Sequence, residues 1–436
     1  MELDEGTTTP APRVVDLFAG AGGLSVGLRS AGYRVLAGSD NDPDAMATFS
    51  LNFPEATTIT GDIRQAEVKR QIVEIGASAD VVVGGPPCQA FSQVRNHSRL
   101  IDDPRNSLYR EFVHVVGRIE PRAFLMENVQ GMSQMGVKEQ VLHDLSQRGQ
   151  YRVVARLVDA ADFGVPQTRK RLIFIGIHRD LGVEPPEVEG SGASAALTLL
   201  PDSERRRGYR LGLRTDVIAE ELLHRLQDPS DVGIVSAEQA IGDLSFLEAG
   251  HRKDALDSRD LGAVRSAYQR SMRVSGVVRN LGVPRMNVDT TMRLNGIPAG
   301  GNHRDLPDEL RARYLTGQKW GPSTDSDRLA RKHYYAYRRL HPDLWAWTLN
   351  TKADAVYHYH NARALSVREF CRLQSFPDDF VVTTDSRQGD IAGRVPNGAT
   401  HSRYRQIGNA VPPLLARAIG AQLHSIIAPA LSGASA

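Results

Sequence analysis

DLFAGAGGLS, residues 16–25, follows a short apolar run and opens a stretch of helical texture. Strand, glycine turn and helix in that order form the nucleotide-binding corner of an α/β sheet. Gly20, Gly22 and Gly23 let the backbone turn tightly and approach a ligand, because glycine has no Cβ to intervene. The dinucleotide pattern G-x-G-x-x-G is incomplete, since Ser25 stands three residues after Gly22. Asp40 ends the second apolar run, where a carboxylate can accept hydrogen bonds from both hydroxyls of a ribose. Asp62, in TGDIR, falls at the end of the next strand position and can accept from an adenine amino group. Together these features point to a cofactor that carries a nucleoside.

Outward from this corner, short apolar runs alternate with helical stretches over the first 180 residues. The runs are RVVDLF (13–18), YRVLAGS (33–39), DVVVGG (80–85), AFLMEN (123–128), YRVVARLVD (151–159) and RLIFIGI (171–177). Their near-continuous apolar character predicts a parallel sheet buried on both faces, with crossover helices. Residues 181–208 turn rich in Pro, Gly, Ser and charge and read as a linker between domains. Strong patterning returns at 363–380 and 404–424, and the terminal APALSGASA is expected to fray. The chain has 436 residues, 41% hydrophobic and 24% charged, enough for two or three packed domains and against wholesale disorder. No apolar run is long enough to cross a bilayer and the first ten residues do not read as a signal peptide, so the expectation is a cytoplasmic protein. Two cysteines exclude a disulfide framework and a multi-cysteine zinc site, so no metal is expected.

GGPPCQAFS (84–92) follows the apolar DVVV and places Cys88 at the carboxyl edge of the sheet, where such sheets bind ligands. Pro86 and Pro87 fix φ on the approach and aim the thiol. A core cysteine has no use for that setting, whereas Cys371, mid-helix in VREFCRLQ, reads as packing. Glu127, in MENV, ends the neighbouring strand, and a carboxyl shielded from water there can have its pKa raised and donate a proton. Arg169 and Arg171 of QTRKR lie two apart and project to one face, able to meet an anion or a carbonyl.

The net charge of +2 is unevenly spread. Residues 251–350 hold 18 Lys/Arg against 10 Asp/Glu, while the rest of the chain holds 35 against 41. The surplus invites a polyanion, and RKHYYAYRR (331–339) interleaves cations with tyrosines as phosphate and base contacts require.

DLFAGAGG, GGPPCQAFS, ENV and QTRKR, in this order, closely resemble the ordered motifs of the DNA (cytosine-5)-methyltransferases of restriction-modification systems. RALSVREFCRLQSFPDDF (363–380) is similar to the family's ninth motif and YRQIGNAVPPLLARAIG (404–420) to its tenth. The resemblance implies an α/β fold with the Rossmann-like sheet of S-adenosylmethionine-dependent methyltransferases, helices on both faces, and a smaller inserted target-recognition domain. Its catalytic domain would occupy 11–180 and 363–428, closed by a helix over 411–425, with the recognition domain at 209–362. Phe18, Gly20, Gly22 and Gly23 would wrap S-adenosylmethionine, with Asp40 on its ribose, Asp62 and Ile63 on its adenine, and Asn409 and Val411 completing the pocket. Asn41 joins this set but departs from the large residue frequent in the family after the ribose carboxylate.

The implied reaction transfers a methyl group to C5 of a cytosine flipped out of duplex DNA. Cys88 would add to C6, Glu127 would bond N3 and the amino group, Arg171 would hold O2 and Arg169 would steady nearby charge. Gln89, Ser92, Arg95, Arg331, Lys332, Tyr334 and Arg338 are the expected DNA contacts, with 91–107 as a closing loop. The enzyme is expected to act as a monomer on a specific duplex site, with any cognate restriction endonuclease acting separately and no membrane partner. A tRNA cytosine-5 methyltransferase is the nearest alternative. It is disfavoured by AFS after PPCQ, where the tRNA-modifying relatives resemble PFTR.

Overall fold

The computed structural model describes residues 10–87, 108–134, 138–191, 235–310, 337–385 and 398–432. Seven strands form the central sheet: β1 (Arg13–Leu17), β2 (Arg34–Asp40), β3 (Thr57–Thr60), β4 (Val81–Gly84), β5 (Ala123–Val129), β6 (Tyr151–Asp159) and β7 (Lys170–His178). Their order is β3-β2-β1-β4-β5-β7-β6. Neighbours among β1 to β5 pair parallel, but β7 runs antiparallel to both β5 and β6. The expectation of a wholly parallel sheet is corrected here. Only residues 160–169 join β6 to β7, too few for the crossover that parallel strands require. β3, TTIT, was expected only as the strand position before Asp62 and not as an apolar run, because an edge strand with one buried side chain shows none.

The two faces of the sheet separate with the two-residue period of a strand. Val14, Val81, Val83, Leu125, Ile173 and Ile175 belong to one buried cluster, and Val15, Leu17, Val82, Phe124, Met126 and Phe174 to the other. Helices α1 (Gly23–Ser30) and α2 (Pro43–Asn52) contribute Leu24, Leu28, Met46 and Phe49 to the first. The second is covered by α3 (Ala66–Gly76), α4 (Leu108–Ile119) and α5 (Lys138–Leu145), through residues such as Ile72, Phe112 and Leu145.

The described part of the expected linker, residues 181–191, is bonded to the edge of the sheet and the loop after it. Arg152 Nε lies 3.0 Å from Glu184, Arg156 Nε donates to Glu187 at 2.9 Å, and Ser191 N donates to Asp162 O at 2.6 Å. Residues 192–208 lie outside the described residues. The segment expected as a separate recognition domain is also partly built into the main body. Its helices α6 (Ala237–Ile241) and α7 (Ala267–Met272) bury Ala237, Ile241 and Met272 in the same cluster as Phe370 and Leu373 of α9 (Val367–Leu373). A smaller cluster, including Leu244, Leu256, Val278 and Leu281, surrounds the two-stranded sheet of β8 (Ala255–Asp257) and β9 (Val277–Arg279). Helix α8 (Val288–Asn295) follows it.

α9 holds buried charges that tie these parts together. Arg363 makes two 2.8 Å bonds to Glu369, and Arg368 donates to the carbonyls of Arg279 and Pro377. Arg372 makes two 2.6 Å bonds to Asp378 and reaches Asp243. Charges so deeply buried survive only when paired and hydrogen-bonded. Arg372→Leu takes both short bonds from buried Asp378 and leaves Asp243 with Arg273 alone, and is expected to cost about 3–5 kcal/mol, read as a lower urea midpoint at an unchanged slope. Cys371 is fully buried between these arginines, and burial pushes its thiol up to about 11, in keeping with a packing role.

After α10 (Gly398–Asn409), α11 (Pro413–Ser432) returns along α1. The contact is close because small residues face each other: a Cβ on Gly27 would lie 2.4 Å from Pro413 O and 2.5 Å from the Ala416 Cβ. Tyr33 Oη donates to Gly420 O at 3.0 Å. α11 continues past the expected 425 to Ser432, so the first five residues of the tail are helical.

Candidate functional site

The carboxyl ends of β1, β2, β4 and β5 open on one cleft of about 600 Å³. The loop after β1 forms its floor in left-handed backbone: φ is +57° at Phe18, +53° at Gly20 and +96° at Gly22. For a phenylalanine this conformation costs about 1–3 kcal/mol, and such strain clusters at ligand sites. The turn is held by Ala19 N donating to Ser39 O at 2.9 Å and Gly22 N to Ala19 O at 2.8 Å. A Cβ at Gly20 would meet nothing within 4 Å, so the space above the turn is open. At Gly23 a Cβ would fall 2.2 Å from Val411 O, and this close approach brings loop 408–411 to the rim.

Ser25 accounts for the missing third glycine. Its hydroxyl donates to Asp16 Oδ2 at 2.7 Å. Asp16 is wholly buried, its Oδ1 has no hydrogen-bond partner among the described residues, and burial pushes its carboxyl up to about 7 despite the Ser25 bond. The sequence reading passed over Asp16 because it lies inside an apolar strand.

Asp40 lines the cleft beside the glycine turn. Its Oδ2 accepts from Gly20 N at 3.0 Å and its Oδ1 from Asp42 N at 2.9 Å. Burial raises the carboxyl above the ordinary aspartate range, against the pull of these bonds. Asn41 is exposed at the rim. Ile63 is buried and Asp62 partly exposed, and both line the cleft. Arg64 clasps Asp62 through Nε at 3.0 Å and a terminal nitrogen at 2.5 Å, which holds that carboxyl below its usual range.

Across the cleft, Glu127 Oε1 lies 2.5 Å from Arg171 Nε. A Cβ at Gly85 would come within 3.1 Å of Glu127 Oε2, so the glycine leaves room beside the carboxylate. Asn128, which the sequence reading did not single out, donates to Pro86 O at 3.2 Å and so fixes the Gly-Pro-Pro approach to residue 88. Its signal was the strand alternation, which sends it to the side opposite Glu127.

Arg169 and Arg171 both line the cleft, with distinct contacts. Arg171 faces Glu127. Arg169 precedes β7, is buried, and donates to Leu349 O at 3.3 Å and Gly408 O at 2.8 Å. Burial, and then Arg171, push its guanidinium well below its usual range. Asp159 braces this strand entry by accepting from Arg169 N at 2.8 Å and from the Thr168 hydroxyl at 2.8 Å.

Asn409 and Val411 line the cleft, and so does a wall from 348–351 that was not foreseen. Thr348 donates to Thr168 O at 2.7 Å, and the Asn350 carbonyl lies where a Cβ on Gly408 would collide. Nothing local in WTLNT signals this placement. Among the expected DNA contacts, Cys88's neighbours Gln89, Ser92 and Arg95, and also Arg331, Lys332 and Tyr334, lie outside the described residues, as does Cys88 itself. Arg338 is only 8% exposed, with its guanidinium 4.8 Å from the Trp347 ring centroid. It packs within the protein, and the expectation that it is offered to DNA is corrected.

Among the described residues no group of three or more His, Cys, Asp or Glu could hold a metal ion, and no helix is long and apolar enough to cross a membrane. The family model for C-5 cytosine-specific DNA methylases matches residues 12–425, and the chain belongs to that family. It is 30% identical over 411 residues to the type II methyltransferase M1.HphI of Haemophilus parahaemolyticus, covering 93% of this chain and 84% of that protein. To M.DdeI of Desulfomicrobium norvegicum it is 31% identical, covering 94% and 88%. A DNA modification methyltransferase encoded within an E. coli prophage has a similar crystal structure, with a TM-score of 0.64 at 22% identity, covering 96% and 99%.

Proposed function

We propose that this methylase transfers the methyl group of S-adenosylmethionine to C5 of a cytosine flipped out of a specific duplex DNA site, through a Cys88–C6 adduct. The observation that carries the reading is that one cleft joins the glycine turn and Asp40 to the Glu127–Arg171 pair. The cofactor fits its side: the floor is open above Gly20, and the Asp40 carboxylate, which accepts from the backbone N–H groups of Gly20, Asp42 and Asn41, lines it with acceptor capacity left for a ribose hydroxyl. Phe18, Gly20, Gly22 and Gly23 would cradle it, with Asp62, Ile63, Asn409 and Val411 around it and Asn41 at the edge. When bound, it supplies an electrophilic methyl group on a sulfonium.

Cytosine C5 is too weak a nucleophile to accept that methyl group unaided. The Cys88 thiolate adds to C6, and Glu127 delivers a proton to N3 as the ring takes up the electron pair. Arg171 bonds O2, so the entering base takes over partners that hold each other in its absence. Arg169 holds the walls in place through its carbonyl bonds. After C5 has taken the methyl group, the N3 proton returns to the Glu127 carboxylate, and loss of the C5 proton to a base and of the thiolate from C6 restores the aromatic ring. Flipping the base costs a few kcal/mol, offset by contacts from loop 91–107 and from the basic segment that holds Arg331, Lys332 and Tyr334.

Because its relatives are type II methyltransferases, we assign the enzyme to the modification half of a restriction-modification system, acting in the prokaryotic cytoplasm without a membrane partner. Incorporation of tritiated methyl from S-adenosylmethionine into mixed-sequence duplex DNA and bulk tRNA, with digestion to nucleosides, tests the reading. Label as 5-methylcytosine in DNA alone is expected. Label confined to tRNA would replace the substrate.

A further inference from the structure

Two buried glutamines outside the catalytic set join the loops that wall the cleft. The Gln167 amide oxygen accepts from Leu349 N at 2.9 Å, and its nitrogen donates to Leu373 O at 3.2 Å and to the Gln374 amide oxygen. The Gln374 nitrogen donates to Ile407 O at 2.8 Å and Ala410 O at 2.9 Å. Both amide orientations are forced. Leu349 N can only donate and the three carbonyls can only accept, so neither amide can turn over without setting donor against donor or acceptor against acceptor. Both protons and the oxygen of each amide are used.

The chain of bonds runs from loop 348–351 to loop 408–411. At its far end it meets the C-terminus of α10, where the last carbonyls of a helix have no partner within the helix. Gln374, the residue just after α9, supplies donors to that end, and Arg169 adds one to Gly408 O. Both loops are cleft walls, one beside the glycine turn and the other beside Arg169.

We infer that Gln167 and Gln374 are positioning residues for methyl transfer. This rests on the functional reading above, in which Asn409 and Val411 stand on the cofactor side, and on Arg169, which holds Leu349 of the 348–351 wall near the Glu127–Arg171 pair that would receive the base. Gln374 sets the cofactor wall through Ile407 O and Ala410 O, and Gln167 sets the base wall through Leu349 N, a bond it keeps together with Leu373 O when Gln374 is replaced.

Methionine is the test substitution, because it keeps an unbranched side chain of similar length and removes the amide. The measurements, on the full chain, are the Kd for S-adenosylhomocysteine by calorimetry, the KM for unmethylated mixed-sequence genomic duplex DNA, and Tm. Gln374→Met is expected to raise the S-adenosylhomocysteine Kd about tenfold with the DNA KM within about twofold. Gln167→Met is expected to do the reverse, raising the DNA KM about tenfold with the Kd within about twofold. Gln374→Glu, which sets an acceptor against two carbonyls, should weaken S-adenosylhomocysteine more than methionine does. If Gln374→Met does not fold, Gln374→Asn, too short to hold both carbonyls, is expected to show the same cofactor-selective loss. Equal losses of Tm with Kd and KM unchanged would make the pair simple packing and overturn the inference, as would a reversed split. Wild-type protein that neither binds S-adenosylhomocysteine nor labels DNA would instead remove the functional reading.

Discussion

Cys88→Ala is expected to lower methyl transfer by about 10⁴-fold or more, while S-adenosylhomocysteine affinity stays within about twofold of wild type. The asymmetry follows from the chemistry. In the proposed mechanism the thiolate is what makes C5 electron-rich, and alanine has nothing to add to C6, whereas the proposed cofactor contacts are the glycine turn and Asp40. A second readout isolates the covalent step. In duplex DNA carrying 5-fluorocytosine at the target, fluorine cannot leave as a cation, so elimination stalls and the adduct persists. Wild-type protein should then show a band that survives denaturation, and Cys88→Ala should show none. A variant with normal turnover would remove Cys88 from the mechanism.

Glu127→Gln should lower kcat by about 10²–10⁴-fold, the range for loss of a general acid. The glutamine amide can still donate a hydrogen bond to the base but cannot deliver a proton to N3. Arg171 loses the carboxylate it faces at 2.5 Å in this structure, so the DNA KM should also move. Single-turnover kinetics separate the two effects, since the chemical step should slow more than binding weakens. Equal losses in both would recast Glu127 as a structural partner of Arg171.

Much of the site could be read before any coordinates. Gly20, Gly22, Gly23, Asp40 and Glu127 stand at strand ends, and a strand end is legible from local pattern, as the apolar run stops and glycine or a carboxylate follows. The expected strands agree with the observed ones to within a residue or so at each end. Arg338 was misread because the cation-and-tyrosine texture of RKHYYAYRR is the same whether a guanidinium faces solvent or a tryptophan ring. Within the segment read as a linker, the ion pairs of Glu184 and Glu187 were not legible, because both look like solvent-facing charge until β6 places Arg152 and Arg156 beside them.

By itself the sequence determined six of the sheet's seven strands, the glycine turn, the order of the motifs along the cleft edge and the family, because each is carried by short local runs of residues. Tertiary structure alone decided the reversed direction of β7 within the sheet, the 348–351 wall and the Gln167–Gln374 link. Those two glutamines are 207 residues apart and Gln167 and Leu349 are 182 apart. Hydrogen bonds across such distances leave no periodicity in the chain, and they exist only once packing has brought their donors and acceptors out of water together.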